Sequence, residues 1–576
     1  MAALPDPSDT TGNIFKSRTA YNVPPTSYRV AEKNVHELLA NRSGVYPDKP
    51  WLIFYSNAGK RREYSYRQFH ELVCKTANLL LREGIRSCDR IATVGFNHPD
   101  TVIQYFAAWL IGAVVVPINV GEDDKRIGFI LRNSESKLAF VRDRFLSRME
   151  EIDRDIPSLR TIVRIREHET GAPLKKWERL IEFHDAISKE PTQVEANRAI
   201  SPDDEALIVY TSGTTGLPKG VVLTQYNLLI DAKAIADWHG VGPDQRMMCV
   251  LPIHHVNGIV VTLMAPLFAG SSVVLNEKFH SDLFFKRIAE ERVSVVSVVP
   301  TLLQFLLHEE STTNSPDAGC LQHIICGAGP LTVELAIRFE DQFHIPIIHG
   351  YGLSETTCYS CFLPRDLSPA DHRRWLGNYG FPAIGVPLPI NEMTIHDDRG
   401  RELPEGEKGE IVIRGHNVMK EYHANPEANA ATFAYGWFRS GDEGFFRKDE
   451  KGRKFFFITG RIKELIIRGG VNISPFEIDE VLMNMPGIKT GLAVGFDNDW
   501  YGEEIGAYVQ VKDGSTLTEK DVIDYCRRFF SFQKCPKVVQ FGDDVPVTST
   551  GKYQRNRLKP LFESWKTVQF TESRKA

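Results

Sequence analysis

Residues 206–220 have the sequence Ala-Leu-Ile-Val-Tyr-Thr-Ser-Gly-Thr-Thr-Gly-Leu-Pro-Lys-Gly. The first five residues form an apolar run that is typical of a buried strand. The ten that follow combine glycines with Ser and Thr hydroxyls and end in a lysine and a glycine. Glycines let backbone N–H groups converge on an anion, hydroxyls add donors, and Lys219 adds a positive charge. The stretch therefore predicts a phosphate-binding loop at the end of a strand.

This loop differs from the signatures of several other enzyme classes. A Walker A loop has the pattern G-x-x-x-x-G-K-[ST], whereas Lys219 stands between Pro218 and Gly220. The zinc-protease pattern H-E-x-x-H fails because His36 and His70 have no second histidine four positions later. The sequence also has no G-x-S-x-G nucleophile elbow. A P-loop NTPase, a zinc protease and an α/β-hydrolase are therefore disfavoured.

Around the loop, from about residue 30 to 460, short β-branched runs alternate with amphipathic helical patterns. A helix is predicted from Tyr66 to Glu83, with its apolar residues on one face. Strands are predicted at Arg90 to Gly95, Ala206 to Tyr210, Val273 to Leu275, Val293 to Val299 and Ile345 to His349. This alternation predicts a large layered α/β domain with mostly parallel sheets, in which ligands bind at the carboxyl ends of strands.

The pattern changes after residue 460 to that of a compact α+β unit. The Ser-Pro-Phe-Glu sequence at 474–477 predicts a helix start with a capping box and a proline in the first turn. Thr518 predicts a second capped helix. We therefore expect residues 1–460 to form an N-terminal domain and residues 461–576 to form a small C-terminal domain.

The composition supports a chain of several globular domains. The 576 residues are 42% hydrophobic and 25% charged, and one hydrophobic core rarely serves more than about 300 residues. A net charge of −5 gives no electrostatic footprint for nucleic acid or for an anionic membrane surface. Nine cysteines at irregular spacing indicate reduced thiols and a cytoplasmic protein.

The sequence was searched for a signal peptide and for membrane-spanning segments, and neither is predicted. Residues 1–13 are polar and lack the apolar core of a signal peptide. No apolar stretch reaches the roughly 20 residues that a membrane-spanning helix needs, so no integral membrane segment is expected. The segments before about Ser27 and after about Trp565 are polar, and we expect them to be mobile.

Further glycine-rich and charged motifs follow the loop. They are His254-His-Val-Asn-Gly258, Cys326-Gly-Ala-Gly-Pro330, His349-Gly-Tyr-Gly-Leu-Ser-Glu-Thr-Thr357, Trp437-Phe-Arg-Ser-Gly-Asp442, Thr459 to Gly470 and Pro546-Val-Thr-Ser-Thr-Gly-Lys552. With these motifs in this order, the chain resembles the AMP-forming acyl-CoA synthetases of the adenylate-forming superfamily. The resemblance extends from about Asn34 to Leu558.

The resemblance implies an ATP site. Tyr351 would offer a ring to stack on adenine, and the carboxylate of Asp442 would accept hydrogen bonds from the ribose diol. Glu355 would bind Mg²⁺, and Ser354 stands where the family more often has threonine. The implied ATP-binding residues are Thr211, Ser212, Gly213, Thr214, Thr215, Gly216, Lys219, Gly327, Ala328, Gly329, Pro330, Tyr351, Gly352, Ser354, Asp442 and Arg461.

The resemblance also implies residues for catalysis and domain motion. Lys552 matches the catalytic lysine, a removable cation that bridges the carboxylate and the α-phosphate. Lys463 matches the hinge of a mobile C-terminal domain, although a solvated linker is the alternative. Gly469 and Gly470 match the loop beside the thiol tunnel. His255 matches a histidine next to the acyl pocket, and a purely structural histidine stays open as an alternative.

The resemblance implies an ATP-dependent carboxylic acid:CoA ligase that forms an acyl-adenylate and releases pyrophosphate and AMP. Its substrates would be a small-molecule carboxylic acid, ATP and CoA, with Mg²⁺ as cofactor. Residues 255–264 and 356–359, which would line the acyl pocket, contain no charged side chain, and this favours an apolar fatty or aromatic acid.

Three alternatives stay open at this point. A stand-alone ligase that loads a carrier protein has the same motifs, although the chain ends 24 residues after Lys552 without a fused carrier domain. A luciferase-like oxygenating activity would need a special substrate. A non-catalytic nucleotide-binding protein would be expected to lack Lys552 or Glu355, and both are present.

Overall fold

The computed structural model of the chain describes residues 6, 8–153, 156–167, 180–194, 199–211, 217–309, 319–547 and 553–572. Its α-helices are α1 Thr10–Ser17, α2 Val35–Val45, α3 Tyr66–Arg82, α4 Pro99–Leu110, α5 Asp124–Asn133, α6 Leu146–Asp153, α7 Phe183–Ser188, α8 Gln225–His239, α9 Ala265–Ala269, α10 Ser281–Glu291, α11 Pro300–His308, α12 Val333–Phe343, α13 Pro369–Gly377, α14 Pro426–Thr432, α15 Pro475–Met483 and α16 Glu519–Cys526.

Its β-strands are β1 Pro50–Tyr55, β2 Arg61–Ser65, β3 Arg90–Val94, β4 Val114–Ile118, β5 Leu138–Arg142, β6 Thr161–Ile165, β7 Leu180–Glu182, β8 Glu205–Thr211, β9 Lys219–Thr224, β10 Arg246–Cys249, β11 Ser272–Asn276, β12 Val295–Val298, β13 His323–Cys326, β14 Ile347–Tyr351, β15 Cys361–Phe362, β16 Val386–Pro387, β17 Asn391–His396, β18 Gly409–Gly415, β19 Glu421–Tyr422, β20 Phe438–Lys448, β21 Lys454–Arg461, β22 Ile466–Arg468, β23 Val471–Ile473, β24 Ile488–Asn498, β25 Gly502–Val511 and β26 Val538–Phe541.

Two large sheets form the framework of the first part of the chain. One has the strand order β19-β9-β8-β4-β3-β5-β6-β7, and the other has the order β16-β15-β14-β13-β12-β10-β11-β1-β2. The central pairs in both sheets are parallel, and antiparallel pairs occur toward their edges. The predicted α/β class with mostly parallel sheets is therefore confirmed.

Two smaller sheets complete the molecule. Strands β17, β18, β20 and β21 form an antiparallel sheet that ends at Arg461. Beyond Arg461, the strands β22 to β26 pair only with one another within the described ranges. The chain therefore changes sheet near residue 461, where the sequence predicted the boundary between a large and a small domain. The mobility of the small domain stays a prediction.

The largest core joins the two big sheets through the helices between them. It contains buried side chains of α2, α3, α4 and α8 together with side chains from strands of both sheets. Trp51 and Phe69 lie at its centre, with ring centroids 4.1 Å apart. Packing on both faces explains why the parallel strands have continuous apolar sequences. This core fixes the strand ends, and the functional loops follow those ends.

Local sequence signals explain several element boundaries. Ser65 and Gln68 form a capping box at the start of α3, so this helix begins at the predicted residue, Tyr66. Thr518 and Asp521 form the predicted capping box of α16. Strand β4 contains Pro117, which lacks an N–H donor, and its pairing with the neighbouring β8 is limited to a single residue pair.

The capping box predicted at residue 474 is wrong. Ser474 precedes α15, but its side chain makes no capping hydrogen bond to the helix. Its hydroxyl instead donates to the backbone carbonyl of Thr459 in β21. A hydroxyl that has a partner in another strand is no longer available to the helix N-terminus, and the sequence pattern cannot reveal such a distant partner.

The expectation of mobile terminal segments is also wrong for the described residues. The backbone N–H of Tyr21 donates to the carboxylate of Glu392 over 2.8 Å, and His416 is hydrogen-bonded to the carbonyl of Val23. Near the other end, Asn498 donates from its side chain to the carbonyl of Val568 over 3.0 Å. These segments dock through hydrogen bonds and through single apolar side chains such as Ile14 and Phe570, so their mostly polar composition did not reveal the docking.

Candidate functional site

A cleft lies between the large and small parts of the molecule, at the ends of β13 and β14. It collects seven of the predicted ATP-binding residues: Ala328, Gly329, Pro330, Tyr351, Gly352, Asp442 and Arg461. The same cleft is lined from the small part by Glu464, Phe476, Asp479, Glu480, Met483, Tyr553 and Arg555. The strand-end loops and the small part therefore meet around one space.

Tyr351, Asp442 and Arg461 form a hydrogen-bonded chain in the wall of this cleft. The hydroxyl of Tyr351 donates to Asp442 over 2.6 Å, and the Arg461 Nε lies 2.8 Å from the other Asp442 oxygen. Burial and the nearby Asp442 charge raise the pKa of Tyr351 well above its ordinary value. The Asp442 charge likewise raises the pKa of Arg461. Tyr351 therefore stays a neutral donor, and its ring is held at a fixed angle.

Two glycines in the predicted loops are required by close approach. A Cβ on Gly327 would lie 2.5 Å from the hydroxyl of Tyr359 and 2.7 Å from the carbonyl of Gly350. A Cβ on Gly352 would lie 1.8 Å from the carbonyl of Cys358. Any side chain at either position would displace the neighbouring loop, so glycine at these positions keeps the two loops packed together.

The ends of the predicted phosphate loop are brought together by a β-hairpin. Thr211 at the end of β8 is paired with Lys219 at the start of β9. The Thr211 hydroxyl lies 3.5 Å from the Lys219 carbonyl. Ser212, Gly213, Thr214, Thr215 and Gly216 fall between these two and lie outside the described residues. The structure thus fixes both ends of the loop.

Lys219 and Glu355 are connected through Tyr422, a residue that the sequence did not single out. The Lys219 ammonium lies 4.8 Å from the centroid of the Tyr422 ring, and the Tyr422 hydroxyl donates to Glu355 over 2.8 Å. Burial and the charge of Glu355 raise the pKa of Tyr422. Tyr422 lies in β19, which pairs with β9, so the sheet places it beside the loop. Ser354 precedes Glu355 in a 3₁₀ turn at Ser354–Thr356.

Glu355 fits the way in which proteins hold Mg²⁺ together with a nucleotide. Mg²⁺ prefers hard oxygen ligands, and it is commonly held by one or two carboxylates and by the phosphates of the substrate. The Glu355 carboxylate is half-buried, and a tyrosine hydroxyl orients one of its oxygens. Among the described residues no cluster of three or more His, Cys, Asp or Glu side chains could hold a metal ion. A metal at Glu355 would therefore take its further ligands from phosphate oxygens and water.

The histidine motif lies at the start of a buried helical segment. The rings of His254 and His255 are 4.4 Å apart, and a π-helix follows at Asn257–Met264. Burial lowers the pKa of His254 to about 4, so this ring is neutral. Val260, Val261 and Met264 are fully buried in the main core. The role of His255 beside the acyl pocket stays a prediction.

The small part brings its C-terminal segment to the cleft. Arg555 donates to both carboxylate oxygens of Asp479 and to the carbonyl of Ala493, and all three residues are buried. Tyr553, two residues earlier, lines the cleft. Lys552 itself lies outside the described residues. The buried ion pair thus anchors the segment that follows the predicted catalytic lysine.

The predicted hinge and thiol-side residues are not among the described residues that line the cleft. Lys463 is in a 3₁₀ turn at Ile462–Glu464, between the last strand of the large part and the first strand of the small part. Gly469 and Gly470 form the tip of the β22–β23 hairpin, and the described lining of the cleft does not include them. The structure therefore brings the nucleotide-side residues together and leaves the thiol-side glycines apart.

Glu480 and Glu477 join the two parts, and the sequence analysis missed both roles. The backbone N–H groups of Val333 and Glu334, in the first turn of α12, donate to Glu480 over 3.2 and 3.4 Å. Burial raises the pKa of Glu480 to about 7. Lys408 of the large part pairs with Glu477 over 2.9 Å. Single carboxylates on a helix carry no sequence signal for such contacts.

In the described part of the chain, no helix combines the length and apolarity needed to cross a bilayer.

Comparison with known families gives two matches. Residues 39–423 match the AMP-binding enzyme family, and residues 477–552 match the AMP-binding enzyme C-terminal domain. The first match covers both large sheets, from α2 to β19. The second match begins in α15 and ends at Lys552.

Individual relatives match nearly the whole chain. A crotonobetaine/carnitine–CoA ligase of Citrobacter koseri is 32% identical and covers 92% of this chain and 99% of its own length. An indoleacetate–CoA ligase of Aromatoleum aromaticum is also 32% identical, with 91% and 97% covered. The crystal structure of ATP-bound MatB from Rhodopseudomonas palustris superimposes with a TM-score of 0.80 at 27% identity, covering 92% of this chain and 99% of that chain.

Proposed function

The chain belongs to the AMP-binding enzyme family, and we propose that it activates a carboxylic acid with ATP and transfers the acyl group to CoA. The relatives described above, which are CoA ligases, support this proposal. The observation that carries the proposal is the cleft in which Tyr351, Asp442 and Arg461 face Tyr553 of the small domain. A nucleotide held by the first three residues would lie next to the segment that begins at the predicted catalytic lysine.

In the first half-reaction, a carboxylate oxygen of the acid attacks the α-phosphorus of ATP. The bond between that phosphorus and the oxygen bridging to the β-phosphate breaks, and pyrophosphate leaves with the electron pair. We assign Asp442 to the ribose hydroxyls, because its carboxylate can accept two hydrogen bonds while Tyr351 and Arg461 hold it in place. Lys219 and the loop hydroxyls neutralise phosphate charge.

Lys552 would align the two negatively charged reactants, the carboxylate and the α-phosphate, and so reduce their repulsion. Glu355 would hold Mg²⁺ with the phosphates, and the ion would supply positive charge for the departing pyrophosphate. Tyr422 supports this role because it orients Glu355 and lies under the Lys219 ammonium. These assignments agree with the chemistry of each side chain and its neighbours.

In the second half-reaction, the sulfur of CoA attacks the acyl carbon, AMP leaves with the electron pair, and the thiol proton passes to solvent. We propose that the small domain rotates about Lys463 between the two steps, so that Lys552 withdraws and the hairpin at Gly469 and Gly470 approaches. The position of Lys463 in the short connection between the two domains supports this motion.

We propose the cytoplasm as the place of action, because seven cysteines are buried as thiols, and reduced thiols are typical of that compartment. The relatives do not identify the acid, because they are named for compounds as different as crotonobetaine and indoleacetate. The sequence favoured a fatty or aromatic acid.

The test is a screen of carboxylic acids for ATP-dependent pyrophosphate release, with and without CoA. The expected result is release that depends on one class of acid and continues over many turnovers only when CoA is present. Multiple turnovers with a carrier protein but not with CoA would support the carrier-loading alternative. ATP binding without pyrophosphate release for any acid would contradict a ligase function.

A further inference from the structure

The turn that follows Glu355 has a strained backbone. The Cys358 N–H donates to the carbonyl of Thr356 over 2.6 Å, and between these two residues Thr357 has a φ of 61° and a ψ of −52°. A hydrogen bond from residue i+2 to residue i defines a γ-turn, and the form with a positive φ at its centre is rare and strained. A β-branched residue at positive φ is crowded further, because its Cβ carries two heavy atoms. The chain therefore maintains a strained turn two residues after the proposed metal ligand.

The path of the chain explains why the turn is so tight. Strand β15 returns antiparallel to β14, with Cys361 paired to Tyr351, and Glu355 lies in the connection between the two strands. The carbonyl of Cys358 would lie 1.8 Å from a Cβ on Gly352, so the two sides of the connection are in close contact. A wider and less strained reversal would separate these two sides. The backbone of Thr357 and the position of Glu355 are therefore coupled.

Asn417 holds the turn in this conformation. The Thr357 hydroxyl donates to the Asn417 backbone carbonyl over 2.6 Å, and the Asn417 side-chain amide donates to the carbonyl of Tyr359 over 2.8 Å. The same amide donates to Asp231 of α8 over 3.0 Å. Thr357, Asn417 and Asp231 are fully buried. Because a buried polar group that loses its partner is costly, these bonds oppose relaxation of the turn.

The segment that begins at Asn417 also holds Glu355 directly. The Met419 N–H donates to the backbone carbonyl of Glu355 over 2.8 Å, and the Tyr422 hydroxyl donates to its carboxylate over 2.8 Å. The segment thus contacts the connection at the Thr357 hydroxyl, at the Glu355 backbone and at the Glu355 carboxylate. Without the first of these contacts, relaxation of the γ-turn would rotate the peptide units that lead back to Glu355.

We propose that Thr357 is a positioning residue, whose hydroxyl holds the γ-turn against Asn417 and thereby fixes the direction of the Glu355 carboxylate toward Mg²⁺ and the phosphates. This inference rests on the proposed ligase function and adds to it a residue that acts through Glu355. A ligand that is already oriented binds a metal ion more tightly, because less ordering is needed when the ion arrives. Tyr422 orients the carboxylate itself, whereas Thr357 orients the backbone that carries it.

The test measures Mn²⁺ binding by electron paramagnetic resonance in the presence of α,β-methylene-ATP, an analogue that cannot form an adenylate. Mn²⁺ takes the same oxygen ligands as Mg²⁺. Thr357→Val keeps the β-branched shape and removes the hydroxyl. We expect the Mn²⁺ dissociation constant to rise about tenfold, since loss of an outer partner of a metal ligand commonly weakens binding by about 10- to 100-fold. The affinity for the analogue without metal should stay at the wild-type value.

Two further variants separate the hydroxyl from the shape of the side chain. Thr357→Ser keeps the donor and should retain the wild-type Mn²⁺ affinity. Thr357→Ala lacks the donor and is less crowded at positive φ, so it should show the same weakening even if the valine variant fails to fold. Wild-type Mn²⁺ affinity in Thr357→Ala, or an equal loss of affinity in Thr357→Ser, would overturn the positioning role.

The matched control is Thr76→Val. Thr76 is fully buried, and its hydroxyl donates to the carbonyl of Leu72 in α3 over 2.9 Å, outside the cleft lining. This variant loses one buried threonine hydrogen bond, as Thr357→Val does, and should keep the wild-type Mn²⁺ affinity. The same weakening in both variants would assign the effect to general destabilisation and would overturn the role of Thr357.

The proposed function is tested separately by acid-dependent pyrophosphate release from the wild-type protein. If this release occurs and Thr357→Val binds Mn²⁺ as the wild type does, the positioning role is overturned and the ligase function stands. If no acid gives release, the ligase function is contradicted, and the Mn²⁺ measurement still decides whether Thr357 orients Glu355.

Discussion

The hydroxyl of Tyr351 donates to the carboxylate of Asp442 across 2.6 Å, between a strand of the large parallel sheet and a strand of the antiparallel sheet. This bond connects the residue proposed to stack on adenine with the residue proposed to bind ribose. Arg461, the last residue of β21, completes the hydrogen-bonded group, with its Nε 2.8 Å from Asp442. The base and the ribose of the nucleotide would therefore be bound by residues that hold one another in place.

The first prediction concerns this bond. Tyr351→Phe keeps the ring and removes the donor, and a hydrogen bond to a charged group contributes about 1.5–3 kcal/mol. We expect the KM for ATP to rise about tenfold or more, with a smaller change in the KM for the acid. Acid-dependent ATP–pyrophosphate exchange measures both. Tyr28→Phe, which removes the bond from Tyr28 to Asp203 outside the cleft, should leave the KM for ATP unchanged. Equal effects of the two substitutions would argue against a nucleotide role for Tyr351.

The second prediction concerns the two half-reactions. Lys552→Ala should abolish acid-dependent pyrophosphate exchange, because the charge that brings the carboxylate to the α-phosphate is lost. Thioester formation from supplied acyl-AMP and CoA should be largely retained. Lys559→Ala, at a surface lysine of the small domain paired with Glu503, is the control and should affect neither step. Equal loss of both half-reactions in Lys552→Ala would contradict the proposal that Lys552 acts in adenylate formation and not in thioester formation.

The third prediction concerns Tyr422. Tyr422→Phe keeps the ring beneath Lys219 and removes the hydrogen bond that orients Glu355. Loss of a partner that orients a metal ligand commonly weakens metal binding by about 10- to 100-fold. We expect the Mg²⁺ concentration for half-maximal pyrophosphate release to rise about tenfold.

The control for Tyr422 is Tyr55→Phe. It removes a comparable tyrosine–glutamate hydrogen bond, from Tyr55 to Glu291, in a part of the core outside the cleft. Its Mg²⁺ dependence should match that of the wild-type protein. If the Tyr422 variant also showed the wild-type Mg²⁺ dependence, Glu355 would not be the metal ligand that we propose.

The fourth prediction concerns pH. Burial raises the pKa of Glu480 to about 7, above the value of about 4.3 expected in an unfolded chain. Between these two values the folded protein binds the extra proton, so its free energy of unfolding should fall as pH rises from about 4.5 to 7. The loss should be complete about one unit above pH 7 and amount to about 3–4 kcal/mol.

Glu480→Gln should remove this dependence, because the amide stays neutral at every pH. We expect the thermal midpoint of the variant to exceed that of the wild type by a few degrees at pH 8, with a smaller difference at pH 5. Glu277→Gln, at a residue that accepts the backbone N–H of Asn57 away from the cleft, is the control. A wild-type pH profile in Glu480→Gln would exclude Glu480 as the titrating group.

The class of fold and the position of the main loops were predictable from local sequence patterns. Apolar runs that alternate with amphipathic helices depend on local periodicity, so the strands around 206–210 and 345–349 and the helix from Tyr66 were predicted within about two residues. Glycine-rich segments after strands were recognisable for the same local reason. Their common cleft followed from the rule that parallel strands present their carboxyl ends together.

The side chains that meet across the fold became apparent only from the packing of the sheets and domains. Tyr422 reaches Glu355 through the pairing of β19 with β9, Glu480 reaches the first turn of α12 across the domain junction, and Ser474 bonds to Thr459 instead of capping its helix. These partners are 15 to 147 residues apart in the chain. Local spacing does not encode such distances, because they depend on how sheets and domains pack.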